Sequence, residues 1–234
     1  MRHFLVAPDR IVDGVVTLDR DDARHVATVL RMRPGDEIVV SADGRRWRCR
    51  LSTVTPTGAT AETLDEAPLP PPETPVTLVQ AVPKGKKMDD IIRMATEIGV
   101  DRIVPLILSR CEGRPTPDKI ERWQAIALSA DKQSRSLRPT VVAASATLDS
   151  LIVDAGLKLL LWEGEAPSLP TALANHPAPR QVTLLIGPEG GIADDEYRRL
   201  VAQGFLPVSL GPKILRTETA GAAALAALRS HLDR

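Results

Sequence analysis

The arrangement of apolar and polar positions divides the chain into two textures. Over residues 1–66 the apolar residues come in short alternating runs. Asp36-Glu-Ile-Val-Val40 follows the turn Arg33-Pro-Gly35, and Arg46-Trp-Arg-Cys-Arg-Leu51 alternates charged with apolar residues after Asp43-Gly44. A period of two marks half-buried strands joined by tight turns. His25 to Met32 reads as a helix with Val26, Val29 and Leu30 on one face. A small β-barrel with one helix is the expected outcome.

From residue 76 onward the pattern changes. Val76–Val82, Arg102–Leu108, Leu157–Trp162, Val182–Ile186 and Pro207–Leu210 read as strands. Several are nearly unbroken apolar runs, as a sheet covered on both faces requires. Met88–Ile98, with apolar residues at 88, 91, 92, 95 and 98, reads as a helix, as do Asp118–Arg135, Asp194–Gln203 and the alanine-rich Ala220–His231. Such alternation of strand and helix predicts a parallel α/β sheet. Between the two textures runs Ala67-Pro-Leu-Pro-Pro-Pro-Glu-Thr-Pro75. Its prolines lack amide donors and favour an extended path. The expected organisation is therefore a barrel over 1–67, a stiff linker over 68–75 and an α/β domain over 76–234.

Composition narrows the classes. Apolar residues at 43% and charged residues at 26% match ordinary soluble domains and exclude collagen-like or disordered chains. Aromatic residues make up only 3%, so aliphatic packing must carry the core. Lys plus Arg and Asp plus Glu are equal at 30 each, so any RNA-binding surface has to come from local clustering. Cys49 and Cys111 form no CxxC, and His3, His25, His176 and His231 have no ligand spacing, so neither a metal site nor a disulfide framework is expected. No apolar run approaches the ~20 residues of a membrane span. The N-terminus lacks the apolar core of a signal peptide, which makes a cytoplasmic location the expectation.

Four segments carry candidate chemistry. Open parallel sheets bind ligands beyond the carboxyl ends of their strands, and two glycine-bearing loops fall there. Ile186-Gly-Pro-Glu-Gly-Gly-Ile192 reads equally as a ligand-approaching loop, with Gly190 and Gly191 able to take positive φ, and as a tight strand-to-helix turn. It matches neither the dinucleotide nor the P-loop pattern. Leu210-Gly-Pro-Lys-Ile-Leu-Arg-Thr-Glu-Thr219 places charges and hydroxyls before a helix start. Thr219 is the candidate cap, with Thr217 or Glu218 free for other contacts, and Ile214 and Leu215 need somewhere to bury. Pro83-Lys-Gly-Lys-Lys87 is either a phosphate contact or a solvated charge run. Lys132-Gln-Ser-Arg-Ser-Leu-Arg138 clusters cations near a helix end, where the dipole also favours them.

Together these stretches resemble one family. His25–Asp36, Lys84-Gly-Lys-Lys-Met88, Ala95–Val100, Arg102-Ile-Val-Pro105, Gln133-Ser-Arg135, Ile186–Gly191 and Leu210–Ala220 occur in the order of the RsmE family. These are 16S ribosomal RNA (uracil-N3)-methyltransferases of the SPOUT class. The resemblance implies a PUA-like β-barrel followed by an α/β parallel-sheet domain with a C-terminal trefoil knot. It implies S-adenosylmethionine as methyl donor, a decoding-region uridine of 16S rRNA in the 30S subunit as substrate, and a homodimer. Carried over by position, it makes Leu161, Trp162, Ile186, Gly187, Gly190, Leu210, Ile214, Leu215 and Thr217 the cofactor-binding residues, with Leu210, Ile214 and Leu215 walling the adenine. Arg216 would stabilise the deprotonated uracil and Glu218 accept a proton, as the catalytic pair. Arg2, Arg31, Arg33, Lys84, Lys86, Lys87 and Arg135 would face RNA. Two other readings stand beside this one: a SPOUT methyltransferase with another RNA target, and a silent RNA-binding assembly factor on the same scaffold. The chain departs from the family at Ala193, which stands where a Ser or Thr cap is usual and forfeits about 1 kcal/mol of capping. Met94 replaces a frequent lysine, and Arg110–Pro117 matches poorly.

Overall fold

The computed structural model describes residues 2–42, 44–66, 74–134, 136–153 and 155–232. Two compact units emerge, residues 1–71 with 131–139 and residues 72–130 with 140–234. The proline run of the expected linker lies at 67–73, outside the described residues. Its last two residues already belong to the second unit, where the Pro75 carbonyl accepts from Val182 N.

The first unit is a curled six-stranded sheet. Its strands are β1 (Arg2–Leu5), β2 (Ile11–Val12), β3 (Val15–Leu18), β4 (Glu37–Ala42), β5 (Arg45–Thr55) and β6 (Gly58–Glu66), in the order β1-β4-β5-β6-β3-β2. Only the β1–β4 pairing is parallel. The predicted alternation holds: Ile38, Val40, Cys49, Leu51, Ala59 and Ala61 point into one apolar core, with the arginines of β5 outside. Two register shifts in the β5–β6 pairing, at Arg48/Cys49 and Leu51/Thr53, bend the long hairpin around that core. Burial pushes the Cys49 thiol up to about 11, which marks it as a core residue.

The helix expected over His25–Met32 starts earlier and changes pitch. Helix α1 spans Arg20–Arg24, capped by Asp19 Oδ1 accepting from Asp22 N at 2.8 Å. It continues as a π-helical turn over His25–Val29, closed by Leu30 N donating to the His25 carbonyl five residues back. The wider turn rotates Val29 to solvent, 66% exposed, while Val26 remains in the core. Lys132 joins this unit through its ammonium, which bonds Asp22 Oδ2 at 2.7 Å and also Asp19.

The second unit holds a parallel seven-stranded sheet. Its strands are β7 (Val76–Ala81), β8 (Arg102–Ile107), β9 (Val141–Val142), β10 (Ala146–Thr147), β11 (Leu157–Leu161), β12 (Val182–Ile186) and β13 (Leu206–Val208). The order is β10-β8-β7-β12-β11-β13, with β9 also on β8. Successive strand residues face opposite sides. Leu78, Leu159 and Leu184 pack under α2 (Lys87–Ile98), α3 (Pro117–Ser134), α4 (Leu169–Ala174) and α6 (Thr217–Leu232). Val79, Leu160 and Leu185 face the other way, toward α5 (Asp194–Ala202). This two-sided burial is why the strands are apolar throughout. Helix α2 ends on Gly99 in the left-handed region, and buried Arg229 of α6 donates to the Gly99 carbonyl, locking those two helices together.

Candidate active site

The carboxyl ends of β7, β11, β12 and β13 converge, and the loops leaving β11, β12 and β13 enclose a cavity of about 830 Å³. Leu161, Trp162, Ile186, Leu210 and Ala220 supply apolar wall, while Glu163, Glu165, Glu189, Lys213 and Arg216 bring charge to it. A volume in this range, with apolar surface beside charged groups that can orient a ligand, suits a drug-sized molecule.

The β11 loop is shaped by Trp162. Its indole packs on Tyr197 with ring centres 4.3 Å apart, and a Cβ on Gly164 would come within 2.5 Å of its Nε1. The β12 loop is shaped from below. A Cβ on Gly187 would meet Ile192 Cγ1 at 2.9 Å, and Gly191 adopts φ +71° beside the Glu163 carboxylate. The chain then turns into α5, where Ala193 offers no acceptor. The Glu196 carboxylate makes the other half of a capping box: Oε2 accepts from Ala193 N at 3.2 Å, and Oε1 accepts from Ser109 N at 2.7 Å. Buried Glu196 thus ties the start of α5 to the segment after β8, and the helix has no side-chain cap at Ala193.

The β13 loop leads into α6. That helix begins at Thr217, three residues earlier than the pattern predicted, so Thr219 is not the cap. The Arg216 carbonyl accepts from Thr219 N and Ala220 N, which makes Arg216 the boundary residue. Thr217 is buried. Its hydroxyl donates to the Gly187 carbonyl at 2.7 Å and accepts from Gln80 Nε2 at 3.0 Å. Gln80 is fully buried, the one polar side chain of β7 on the face beneath α6. Its Nε2 also donates to the Ala81 carbonyl at 2.9 Å, so both acceptors fix the amide orientation.

Of the residues singled out from the sequence, Leu161, Trp162, Ile186, Gly187, Leu210, Ile214, Leu215, Arg216 and Thr217 all line the cavity. Gly190 and Glu218 do not. Gly190 backs onto Arg110, whose Nη1 donates to the Gly190 carbonyl at 2.9 Å, so the poorly matching Arg110 segment buttresses this loop. Glu218 turns toward Lys87, with 3.4 Å between Nζ and Oε2. Ile214 and Leu215 are not buried as their apolar character requires: they are 78% and 37% exposed. They line the cavity, and among the described residues nothing covers Ile214. Arg2, Arg31, Arg33, Lys84 and Lys86 are exposed, Lys84 pairing with Glu112 at 2.7 Å. Arg135 lies outside the described residues. Gln80, Glu163, Gly164 and Ser209 were not legible as site residues, and Lys213 was legible only as part of the charged segment Leu210–Thr219. Among the former only Gln80 carried a signal, as a polar residue inside the apolar run Val76–Val82. Among the described residues no three His, Cys, Asp or Glu side chains converge as metal ligands, and no helix is long and apolar enough to cross a membrane.

A parallel sheet with a loop-lined cavity beyond its strand ends, preceded by a curled sheet, is the design of an RNA methyltransferase. Residues 70–229 match the RNA methyltransferase domain family and residues 18–64 the RNA methyltransferase PUA domain. The chain is 36% identical over 238 residues to the ribosomal RNA small subunit methyltransferase E of Synechocystis, covering 99% of this chain and 78% of that one. It is also 36% identical over 226 residues to the Mycobacterium tuberculosis protein of that name, covering 92% and 86%. The crystal structure of a ribosomal RNA small subunit methyltransferase E from Neisseria gonorrhoeae bound to S-adenosylmethionine superposes with a TM-score of 0.80 at 33% identity, covering 98% of this chain and 97% of that one. The chain belongs to the ribosomal RNA small subunit methyltransferase E family.

Proposed function

We propose that this protein methylates N3 of a decoding-region uridine in 16S rRNA within the small ribosomal subunit, with S-adenosylmethionine as donor. The observation that carries the reading is the cavity itself. Three loops from neighbouring strand ends wall a largely apolar space of about 830 Å³ and bring Arg216 to its edge. The donor fits that wall: Leu161, Ile186 and Leu210 offer apolar surface to a purine, and the acids Glu163, Glu165 and Glu189 suit a ligand with two cationic centres.

S-adenosylmethionine supplies an already activated methyl group on its sulfonium, so the protein's task is placement and charge control. Uracil N3 must lose its proton before it can attack. Arg216 stays cationic at any working pH and would stabilise the deprotonated ring. Glu218, the second residue of α6, lies off the cavity wall with its Oε2 turned to Lys87, and its Oε1 is our candidate to receive the proton through water. Exposed Arg2, Arg31, Arg33 and Lys86 would hold RNA phosphates. The knotted path belongs to the same reading. The working form would be a cytoplasmic homodimer, which light scattering on the purified protein checks.

The test is methyl transfer to small subunits that lack the modification. The expected product is N3-methyluridine in the decoding region, located by mass spectrometry of 16S rRNA fragments. A methyl group appearing elsewhere would assign a different RNA target. Absence of S-adenosylmethionine binding by the folded protein would leave only the silent-scaffold reading.

A further inference from the structure

The sequence groups Lys87 with Lys84 and Lys86 as an RNA contact. In the fold its ammonium turns to two carboxylates from two different segments. Nζ lies 2.9 Å from Glu189 Oε1 and 3.4 Å from Glu218 Oε2. Glu189 belongs to the β12 loop on the cavity wall, and Glu218 to the first turn of α6. The Lys87 side chain is 38% exposed, against 71% for Lys84.

The two acids depend on this cation. Burial, the largest influence on Glu189, works against its charge, and the Lys87 bond opposes it. Backbone amides, including Lys84 N at 3.3 Å from both oxygens, add to that, holding the carboxyl below the usual range. Glu218 Oε2 is shut away from solvent and makes no hydrogen bond, so the Lys87 charge is what offsets it. Without Lys87, two carboxylates sharing one site would repel each other. The β12 loop and the start of α6 would then lose their common partner.

We propose that Lys87 is a positioning residue for methyl transfer: by bridging Glu189 to Glu218 it sets the β12 loop, which receives S-adenosylmethionine, against the Arg216–Glu218 turn, which receives the uridine. The inference rests on the cofactor reading above. It differs from a phosphate contact in what it moves. A lysine on RNA phosphate alters the salt dependence of RNA binding and leaves cofactor affinity alone.

The experiment compares full-length wild type with Lys87→Met, Lys87→Arg, Glu189→Gln and the Lys87→Met/Glu189→Gln double variant. Calorimetry measures S-adenosylmethionine affinity, single-turnover assays measure methylation of small subunits, and subunit binding is followed across salt concentrations. Lys87→Met is expected to lower cofactor affinity or the single-turnover rate by about fivefold or more. Lys87→Arg should restore most of the loss. The double variant should lose less than the sum of its singles. The salt slope of subunit binding should stay as in wild type. Affinity and rate both within about twofold of wild type, or a salt slope shallower by about one unit, would overturn the proposal. Because Lys87 is partly exposed, loss of fold in Lys87→Met is not expected. Should it occur, Lys87→Gln, which keeps a polar side chain and removes the charge, decides by the same readouts. Wild type that fails to bind S-adenosylmethionine overturns the functional reading and this inference with it. Wild type that binds beside an unaffected Lys87→Met overturns the inference alone.

Discussion

The Thr217 hydroxyl donates to the Gly187 carbonyl oxygen at 2.7 Å while accepting from the Gln80 side-chain amide at 3.0 Å. One small side chain therefore joins the end of β7, the β12 loop and the start of α6. It is spent on internal bonds, so Thr217 shapes the cavity wall through its hydroxyl and offers the cavity its carbon surface. Thr217→Val keeps the volume and removes the hydroxyl. It should cost ~1–3 kcal/mol of stability, because the buried Gln80 amide loses an acceptor, and it should weaken S-adenosylmethionine binding. Thr217→Ser should behave as wild type. Chemical denaturation and calorimetry measure the two effects, and an unchanged Thr217→Val would remove the clamp from the account.

Gly187→Ala tests the packing beneath the β12 loop. The added methyl would lie 2.9 Å from buried Ile192 Cγ1, so loop or side chain must shift. A cost of about 1–3 kcal/mol is expected, together with lower cofactor affinity. Gly164→Ala makes the same test on the β11 loop, where the methyl meets the Trp162 indole at 2.5 Å. Cofactor affinity unchanged in both variants would separate these loops from the binding site.

Arg216 is exposed on the cavity edge, and its side chain carries no ion pair among the described residues. Arg216→Ala should therefore lower the single-turnover rate at saturating cofactor by ~100-fold with little change in stability or cofactor affinity. Parallel losses of rate and cofactor affinity would instead make Arg216 a cofactor ligand.

His3 gives the first unit a pH dependence. Burial, and then the nearby Arg46 charge, lower its pKa below 6.5. Its Nε2 lies 2.8 Å from Ser41 Oγ. Since the folded value lies below the unfolded one, the unfolded chain binds more protons between the two. Stability is complete above about 6.5 and falls as pH drops through that window. His3→Gln should flatten this part of the curve. Thermal melts across the window check it, and parallel curves for variant and wild type would contradict the assignment.

The sequence by itself determined the fold class and singled out two of the loops that wall the cavity. Period-two alternation in Arg46–Leu51 and apolar runs such as Val182–Ile186 reflect burial on one face or two. That is a local property of each strand. The glycine loop after β12 and the segment before α6 were legible for the same reason: their motifs are contiguous. Tertiary structure decided the contacts that join distant segments. No local pattern indicates that Thr217 would bond Gln80, or that the Glu196 carboxylate would reach Ser109 N from the start of α5. Lys87 reads as one more cation in a basic run until the fold brings Glu189 and Glu218 to it. Ile214 and Leu215 had the character of core residues, yet only the packed chain shows them exposed. Periodicity reports the face a residue presents. What that face meets depends on sheet order and on loops that converge from strands far apart in the chain.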